Sequence, residues 1–333
     1  MRVALNAGTI VQIFVLTIIL GPIFLGLSQN ILSIFGQRPY LGIIGLSANP
    51  LNTLISVPGL VTAVVTTMFT GMVATAISLA LAFSFCIIFL YKVLKPRKLV
   101  IITMLLSAPH VAVAIGLTFL MAPSGWVFRL LASVLEFETP PDIFTINDPF
   151  GVSLIVGLVI KEVPFLIFVI MASFTQIPVK RHLGEARALG YDPANCWIRI
   201  IVPQIWPLVR LPVYVVLAYS LANVEMAIVL GPTNPPVLSV LLMRMFLSPD
   251  VTTLAPASAG ALLQVLLVLA VFVIFYLLEV GVRFLGKIWI SLGNRSAIFN
   301  IVFPWIVQFS FFVMLIGCFS LFLSVSWSFA SSW

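Results

Sequence analysis

Charge is scarce in this chain. Only 8% of its 333 residues are Asp, Glu, Lys or Arg, against a hydrophobic fraction of 62%. Soluble domains are about a quarter charged, so this composition excludes an ordinary soluble fold and places the chain among integral membrane proteins. Histidine is scarcer still. With only His110 and His182 present, a histidine-based metal centre and a Ser-His-Asp triad are both disfavoured. The three cysteines, Cys86, Cys196 and Cys318, lie far apart in or beside apolar segments. They read as packing residues, not as a disulfide framework or a metal set. A phosphate-binding loop is also missing, because the glycines of GLSANPLN and LGPTNPP lack the lysine and hydroxyl residue that must follow. The net charge of +7 invites a nucleic-acid partner, but the basic residues are spread over loops between apolar runs, which argues against one.

What the chain has in abundance is long apolar runs. Seven are long enough to cross a bilayer: about Ile10 to Leu27, Leu60 to Leu90, Val100 to Met121, Val152 to Phe174, Trp206 to Leu230, Ala257 to Glu279 and Ile298 to Leu323. The first lacks a clear small-residue cleavage site and precedes many other spans, so it is expected to be a retained helix. The second is rich in Thr, Ala and Gly (TTMFTGMVATAISLALAF), residues that let helices approach closely in lipid. The third carries Pro109 beside His110 at mid-depth, which interrupts the backbone ladder there. A short surface helix is expected through WVFRLLASVLE.

Lys161 and Glu162 fall within the fourth span, and Glu225 near the outer end of the fifth. Charged groups at such depth are costly unless they face protein or water, so all three are candidates for lining a solute path. Lys161 and Glu162 are adjacent and point in different directions on a helix, so no mutual salt bridge is expected. Satisfied structural polarity is the competing reading for each.

Orientation follows from the basic residues. One arrangement places the N-terminus, the 91–98 loop, the 175–210 segment and the 283–295 loop on the cytoplasmic side. It leaves only Arg38, Arg129, Lys161 and Arg244 of the 17 basic residues elsewhere.

The largest polar island, FTQIPVKRHLGEARALGYDPANCWIRIIVP, lies between the fourth and fifth spans. Pro178 suits an early helical position. Good helix formers follow as far as Gly190, a plausible left-handed stop. Asp192 before Pro193 is a fresh start signal, and the second helix, ANCWIRII, is expected to end as Pro203 opens the next span. The island reads as helix, turn, helix.

This island resembles the coupling loop of inner-membrane permease subunits from binding-protein-dependent ABC importers. That family's pattern runs Glu-Ala-Ala, three residues, Gly, nine residues, Ile, one residue, Leu-Pro. Aligned on Gly190, the spacing puts Ile200 at the Ile position, Val202 at the Leu position and Pro203 at the Pro position, with Arg187 and Leu189 where arginine and leucine are usual. The front of the motif departs: Gly184 stands at the Glu position, Glu185 at the first Ala and Ala186 at the second.

The resemblance covers residues 10 to about 285, and ANVEMAIVLGPTNPPVLSV looks like the fifth helix of the subgroup serving iron, thiamine, polyamines and related solutes. It implies an all-α polytopic fold, a six-helix permease domain over 1–290 with its coupling loop at 175–205, and a seventh helix within 297–333. The seventh resembles the opening helix of a second repeat, so the chain is expected to be either an incomplete two-repeat permease or a single repeat with an added helix.

The resemblance further implies that Glu185, Ala186, Arg187, Leu189 and Gly190 make the coupling contact, while Ile200 and Pro203 set its angle. The implied partners are a cytoplasmic ATPase dimer holding ATP and Mg, an extracytoplasmic solute-binding protein and a second permease half. No cofactor or metal is expected on this chain. The competing expectation is an ion-coupled secondary transporter, which would show matching repeats and a broken-helix ion site. An intramembrane enzyme would need a nucleophile–base pair or a metal-ligand set, and the sequence offers neither persuasively.

Overall fold

The computed structural model describes residues 7–37, 45, 47–87, 96–136, 139–291 and 298–329, and every regular element among them is a helix. In chain order these are α1 (Ala7–Ile34), α2 (Asn49–Ile55), α3 (Leu60–Cys86), α4 (Pro96–Ser107), α5 (His110–Met121), α6 (Trp126–Leu135) and α7 (Val152–Ser173). There follow α8 (Val179–Ala188) and α9 (Pro193–Cys196), a π turn (Trp197–Ile201), α10 (Val202–Ala222), α11 (Glu225–Leu230), α12 (Leu238–Phe246), α13 (Leu254–Ser291) and α14 (Ile298–Ser328). Among the described residues, 7 helical segments are long and apolar enough to cross a membrane, so the fold is all-α and polytopic.

Burial grades the helices. The span formed by α7 is 72% buried, whereas that of α1 is 0% buried, which makes α7 the axis of the bundle and α1 its outrigger. Helix α7 packs against α3, α10, α4 and α14, while α1 lies chiefly along α13. The composition of α3 explains its close fit. Its buried face carries Ala63, Thr67, Thr70, Gly71, Ala74, Thr75, Ser78 and Ala82. The hydroxyls of Thr67 and Thr70 donate back to the carbonyls of Ala63 and Thr66 at 2.6 and 2.8 Å, and Thr67 Oγ1 also accepts from Leu238 N of α12 at 2.8 Å. Small residues at a helix face allow the backbone contact that drives association in lipid.

Helix α14 packs into the bundle, chiefly along α5 and α3. Ser324 Oγ donates to Ala112 O at 3.2 Å, Ser310 Oγ donates to Leu81 O at 3.2 Å, and Trp327 stacks on Phe119 with ring centroids 4.3 Å apart. A Cβ on Gly116 would run into the Ser320 carbonyl, so the two helices touch backbone to backbone.

Several boundaries differ from the sequence expectation. The third span is divided at Pro109 into α4 and α5, and the segment apolar enough to cross begins at His110 and reaches Ala132. The fifth is divided after Ala222, where Asn223 leaves the helix and caps α11 by accepting from Met226 N at 2.8 Å. The sixth does not end at Glu279. Helix α13 continues to Ser291, so Arg283 and Lys287 stand on a helix of 38 residues, about 57 Å long, and not in a loop. The ion pair from Arg283 back to Glu279, one turn earlier, supports this continuation.

The second helix of the polar island does not stop at Pro203 either. The π turn carries it into α10. A proline at 203 has no N–H for the carbonyl four residues back and crowds it, and a widened turn just before the ring relieves both faults. Of the cytoplasmic flags, Arg2, Lys92, Lys95 and Arg295 lie outside the described residues, as does Arg38, one of the exceptions.

Candidate functional site

The polar island folds as a helical hairpin at one end of the bundle. Helix α8 starts after Pro178 and stops at Leu189, where the chain turns through Gly190 at φ +79. Tyr191 N donates to Ala186 O at 2.9 Å and Gly190 N donates to Arg187 O at 3.0 Å. These two bonds satisfy the carbonyls left over at the helix end, in the pattern of a glycine-terminated Schellman turn. The next helix begins as the sequence predicts: Asp192 Oδ1 accepts from Asn195 N at 2.8 Å, and Pro193 occupies the first turn.

The hairpin is fastened at its base. Ala186 is 1% exposed and Trp197 is also 1% exposed. Trp197 meets Phe174 edge-on at 5.8 Å and lies 6.5 Å from Phe83, so its indole joins the hairpin to the ends of α7 and α3. Arg199 stacks over Trp289 at 4.1 Å, adding α13 to the same support. Sequence reasoning missed Trp197. Its signal was a large aromatic inside an otherwise polar island.

The outward face carries the other predicted residues. Glu185, Arg187 and Gly190 are exposed, and Leu189 is 67% exposed despite being fully apolar. Glu185 pairs with Arg181 at 2.7 Å, and His182 Nδ1 lies 3.5 Å from its other oxygen. The hydrogen bond from Arg181, then that from His182, holds the Glu185 carboxyl below the usual carboxylate range. A Cβ on Gly184 would meet nothing within 4 Å, so a side chain fits there. Ile200 is half-buried within the π turn, and Pro203 is exposed at the start of α10. Geometry thus separates the predicted set into a buried foot, Ala186, an outer edge of Glu185, Arg187 and Leu189, and a hinge side of Ile200 and Pro203.

A second group of polar residues sits inside the bundle. Lys161 is buried, and its Nζ donates to Leu105 O at 2.6 Å and Ala108 O at 2.7 Å. Those carbonyls end α4 at the Pro109 break, and a cation there also suits the negative end of the helix dipole. Glu162 points elsewhere, its Oε1 accepting a hydrogen bond from Ser220 Oγ on α10. Glu225 is exposed at the first turn of α11. The two helix breaks face each other, since α5 packs on α11, and between them the His110 and Tyr219 rings lie 5.0 Å apart. His110 and Tyr219 thus meet at the junction of the two breaks, Glu225 opens α11 there, and Lys161 and Glu162 bond to α4 and α10. No group of three metal-ligating side chains occurs among the described residues.

Comparison with known proteins gives one partial likeness. No family model matches the chain. It is similar to the Inner membrane ABC transporter permease protein YnjC of Escherichia coli (strain K12), with 31% identity over 174 residues. The match covers 52% of this chain and 32% of that protein, so the chain spans about a third of the length of the curated relative it matches.

Proposed function

We propose that this chain is a permease component of an ATP-driven importer in the inner membrane, and that the 175–205 hairpin is its coupling element. One observation carries the reading: a Schellman-closed hairpin, rooted by Trp197, presents an exposed Leu189 one helical turn after the exposed Glu185. In this proposal Leu189, two-thirds exposed on a polar protrusion, is the apolar contact that the partner's groove receives. The likeness to a protein named as an ABC transporter permease supports the same reading.

In this proposal a soluble ATPase, holding ATP and Mg, receives the outer edge of the hairpin. Closure of the ATPase dimer pushes α8, and the continuous path α9–π turn–α10 passes the movement to the fifth span. Ile200 and Pro203 set the angle at which that push enters the membrane. Residues 1–290 form the six-helix domain, and the 297–333 helix belongs to the opening of a second repeat or is an added seventh helix. A second permease half completes the solute path, and an extracytoplasmic binding protein delivers the solute. The N-terminus is cytoplasmic in this arrangement, and the iron, thiamine and polyamine subgroup is the proposed affiliation. Glu225, with His110 and Tyr219, lines the path, while Lys161 and Glu162 hold its walls.

A second reading has one specific observation in its favour. Two interrupted spans meet at the Pro109 and Asn223 breaks, and interrupted helices are where ion-coupled transporters place their sites. The two readings part on a soluble partner. Affinity purification of the tagged chain from native membranes is expected to bring down an ATPase, and Leu189→Asp is expected to lose it. Solute uptake by vesicles containing this chain alone, driven by an ion gradient, would replace the importer reading with the second one.

A further inference from the structure

A groove of about 870 Å³ opens on the side of the bundle at its hairpin end, between α3, the beginning of α10 and the last third of α13. It exists because α13 leaves the bundle there. Leu278 and Val282, on its groove side, are 55% and 69% exposed. Opposite them, Ala76 and Ala80 of α3, one helical turn apart, form a shallow trough floored by Phe83.

The groove is apolar along its length and cationic at one end. Lys287 lines that end and has no ion-pair partner among the described residues. Arg283 lines it too, and Arg210 and the Trp289-stacked Arg199 flank it. Against these four cations stands one carboxylate, Glu279, which is already engaged by Trp206 Nε1 at 2.8 Å, by Arg210 at 3.0 Å and by Arg283. Trp206 and Arg210 meet α13 at Glu279, and Arg199 meets it at Trp289, ten residues or about 15 Å further along, so tryptophans and cations share that last stretch of the helix. Tryptophan and basic residues gathered over about 15 Å match the thickness of a bilayer's headgroup region, and the apolar trough beyond them then lies at acyl-chain depth.

We propose that this groove binds an anionic phospholipid, with an acyl chain along Ala76 and Ala80 and the headgroup phosphate held by Lys287 and Arg283. A transmembrane helix of another polypeptide would fit the small-residue trough as well, but it would have to bring an acidic group to the cationic end. A phosphate diester supplies that charge at that height. The site would bridge the last third of α13 to α3 and α10 just behind the hairpin. It stands on the groove alone and does not depend on the transport reading.

The test uses the full chain purified in detergent and stripped of lipid. Native mass spectrometry with added phosphatidylglycerol or phosphatidylethanolamine is expected to show preferential retention of the anionic lipid. Lys287→Gln is expected to lower that preference about fivefold, and Ala80→Phe, which fills the trough, to abolish retention of the bound lipid. Equal retention of the two lipids, or a preference unaffected by both substitutions, would overturn the proposal. A cysteine at position 80 that crosslinks to a second polypeptide in native membranes would overturn it too, by assigning the groove to a protein helix.

Discussion

Lys161 Nζ donates to the carbonyl oxygen of Leu105 at 2.6 Å, across from the middle of α7 to the last turn of α4. The bond makes the Pro109 break tolerable, because it satisfies carbonyls that the interrupted ladder cannot reach. Lys161→Met keeps the length of the side chain and removes the donor, leaving two buried carbonyls bare. Each bare buried acceptor costs about 1–3 kcal/mol. A clear drop in thermal unfolding temperature in detergent is expected, with transport lost in proportion to folded protein. Full stability with abolished uptake would instead make Lys161 a residue of the path.

Gly190 sits at φ +79, a region in which a Cβ meets the following carbonyl. Gly190→Leu is expected to destabilise the turn by about 1–2 kcal/mol and to release Tyr191 N from Ala186 O. Faster hydrogen exchange at the end of α8, with the transmembrane helices unchanged, would report this. Unaltered exchange would mean that the turn adopts another closure.

The local parts of this architecture were legible in the sequence and the nonlocal parts were not. Gly190, Asp192 and Pro193 act on neighbours a few residues away, so their types alone predicted the hairpin. Pro109 likewise announced its break. The cap that repairs it, Lys161, lies 56 residues from Leu105 along the chain, and no periodicity encodes that distance. The reach of α13 past Glu279 was hidden because Arg283 and Lys287 look like loop residues until Arg283 is seen to pair with Glu279 one turn beneath it. Asn223 resembles any polar residue in a span, and only the folded chain shows it capping α11. The seventh run was legible as a helix. Its seat against α5 was not, since Gly116 and Gly317 acquire meaning only from Ser320 and Ile160 across the contact.

That contact gives a matched pair of variants. A Cβ on Gly317 would strike Ile160 and Leu105, whereas one on Gly281 would meet nothing within 4 Å. Gly317→Leu is expected to force α14 away from α7 and α4 at a cost of about 1–3 kcal/mol, while Gly281→Leu should be neutral or slightly stabilising. Thermal unfolding of both in the same detergent decides the matter. Equal behaviour would show that α14 does not occupy this seat in the membrane.

Acid should loosen the hairpin in a defined direction. The Glu185 carboxyl titrates below its ordinary value because Arg181, and after it His182, bonds the ionised form. The pairing is therefore fully present above the ordinary glutamate value of about 4.3, and it is lost as pH falls through the lowered native value. Exchange protection of α8, corrected for intrinsic rate, is expected to stay flat from neutral pH to about 5 and then to fall. In Arg181→Gln, where the first cause of the lowered value is gone, the fall should be smaller. Both groups are exposed, so the change should be small and weakened by salt. A profile that ignores the substitution would leave the ion pair without a role.

The strongest test of the coupling proposal lies where this chain departs from the family pattern. Gly184 stands at the acidic position, and Glu185 is one residue on, which rotates the carboxylate by about 100° around α8. Two outcomes are open to the helix: Glu185 serves as the acidic contact from its rotated place, or Leu189 and Arg187 dock alone. Nothing lies within 4 Å of a Cβ at Gly184, so Gly184→Glu fits without strain and replaces a poor helix former. If Glu185 has taken over the role, Glu185→Ala should lower ATPase recovery in pull-down and uncouple hydrolysis from uptake in vesicles, and Gly184→Glu added to it should restore part of both. If Glu185 only steadies α8 through Arg181, then Glu185→Ala should leave recovery unchanged, as exposed ion pairs usually contribute little. Leu189→Asp separates the hairpin from both possibilities, because it places a charge at the centre of the proposed contact and should abolish recovery whichever acid is used. Normal recovery and coupling in all of these variants would remove the hairpin from the mechanism.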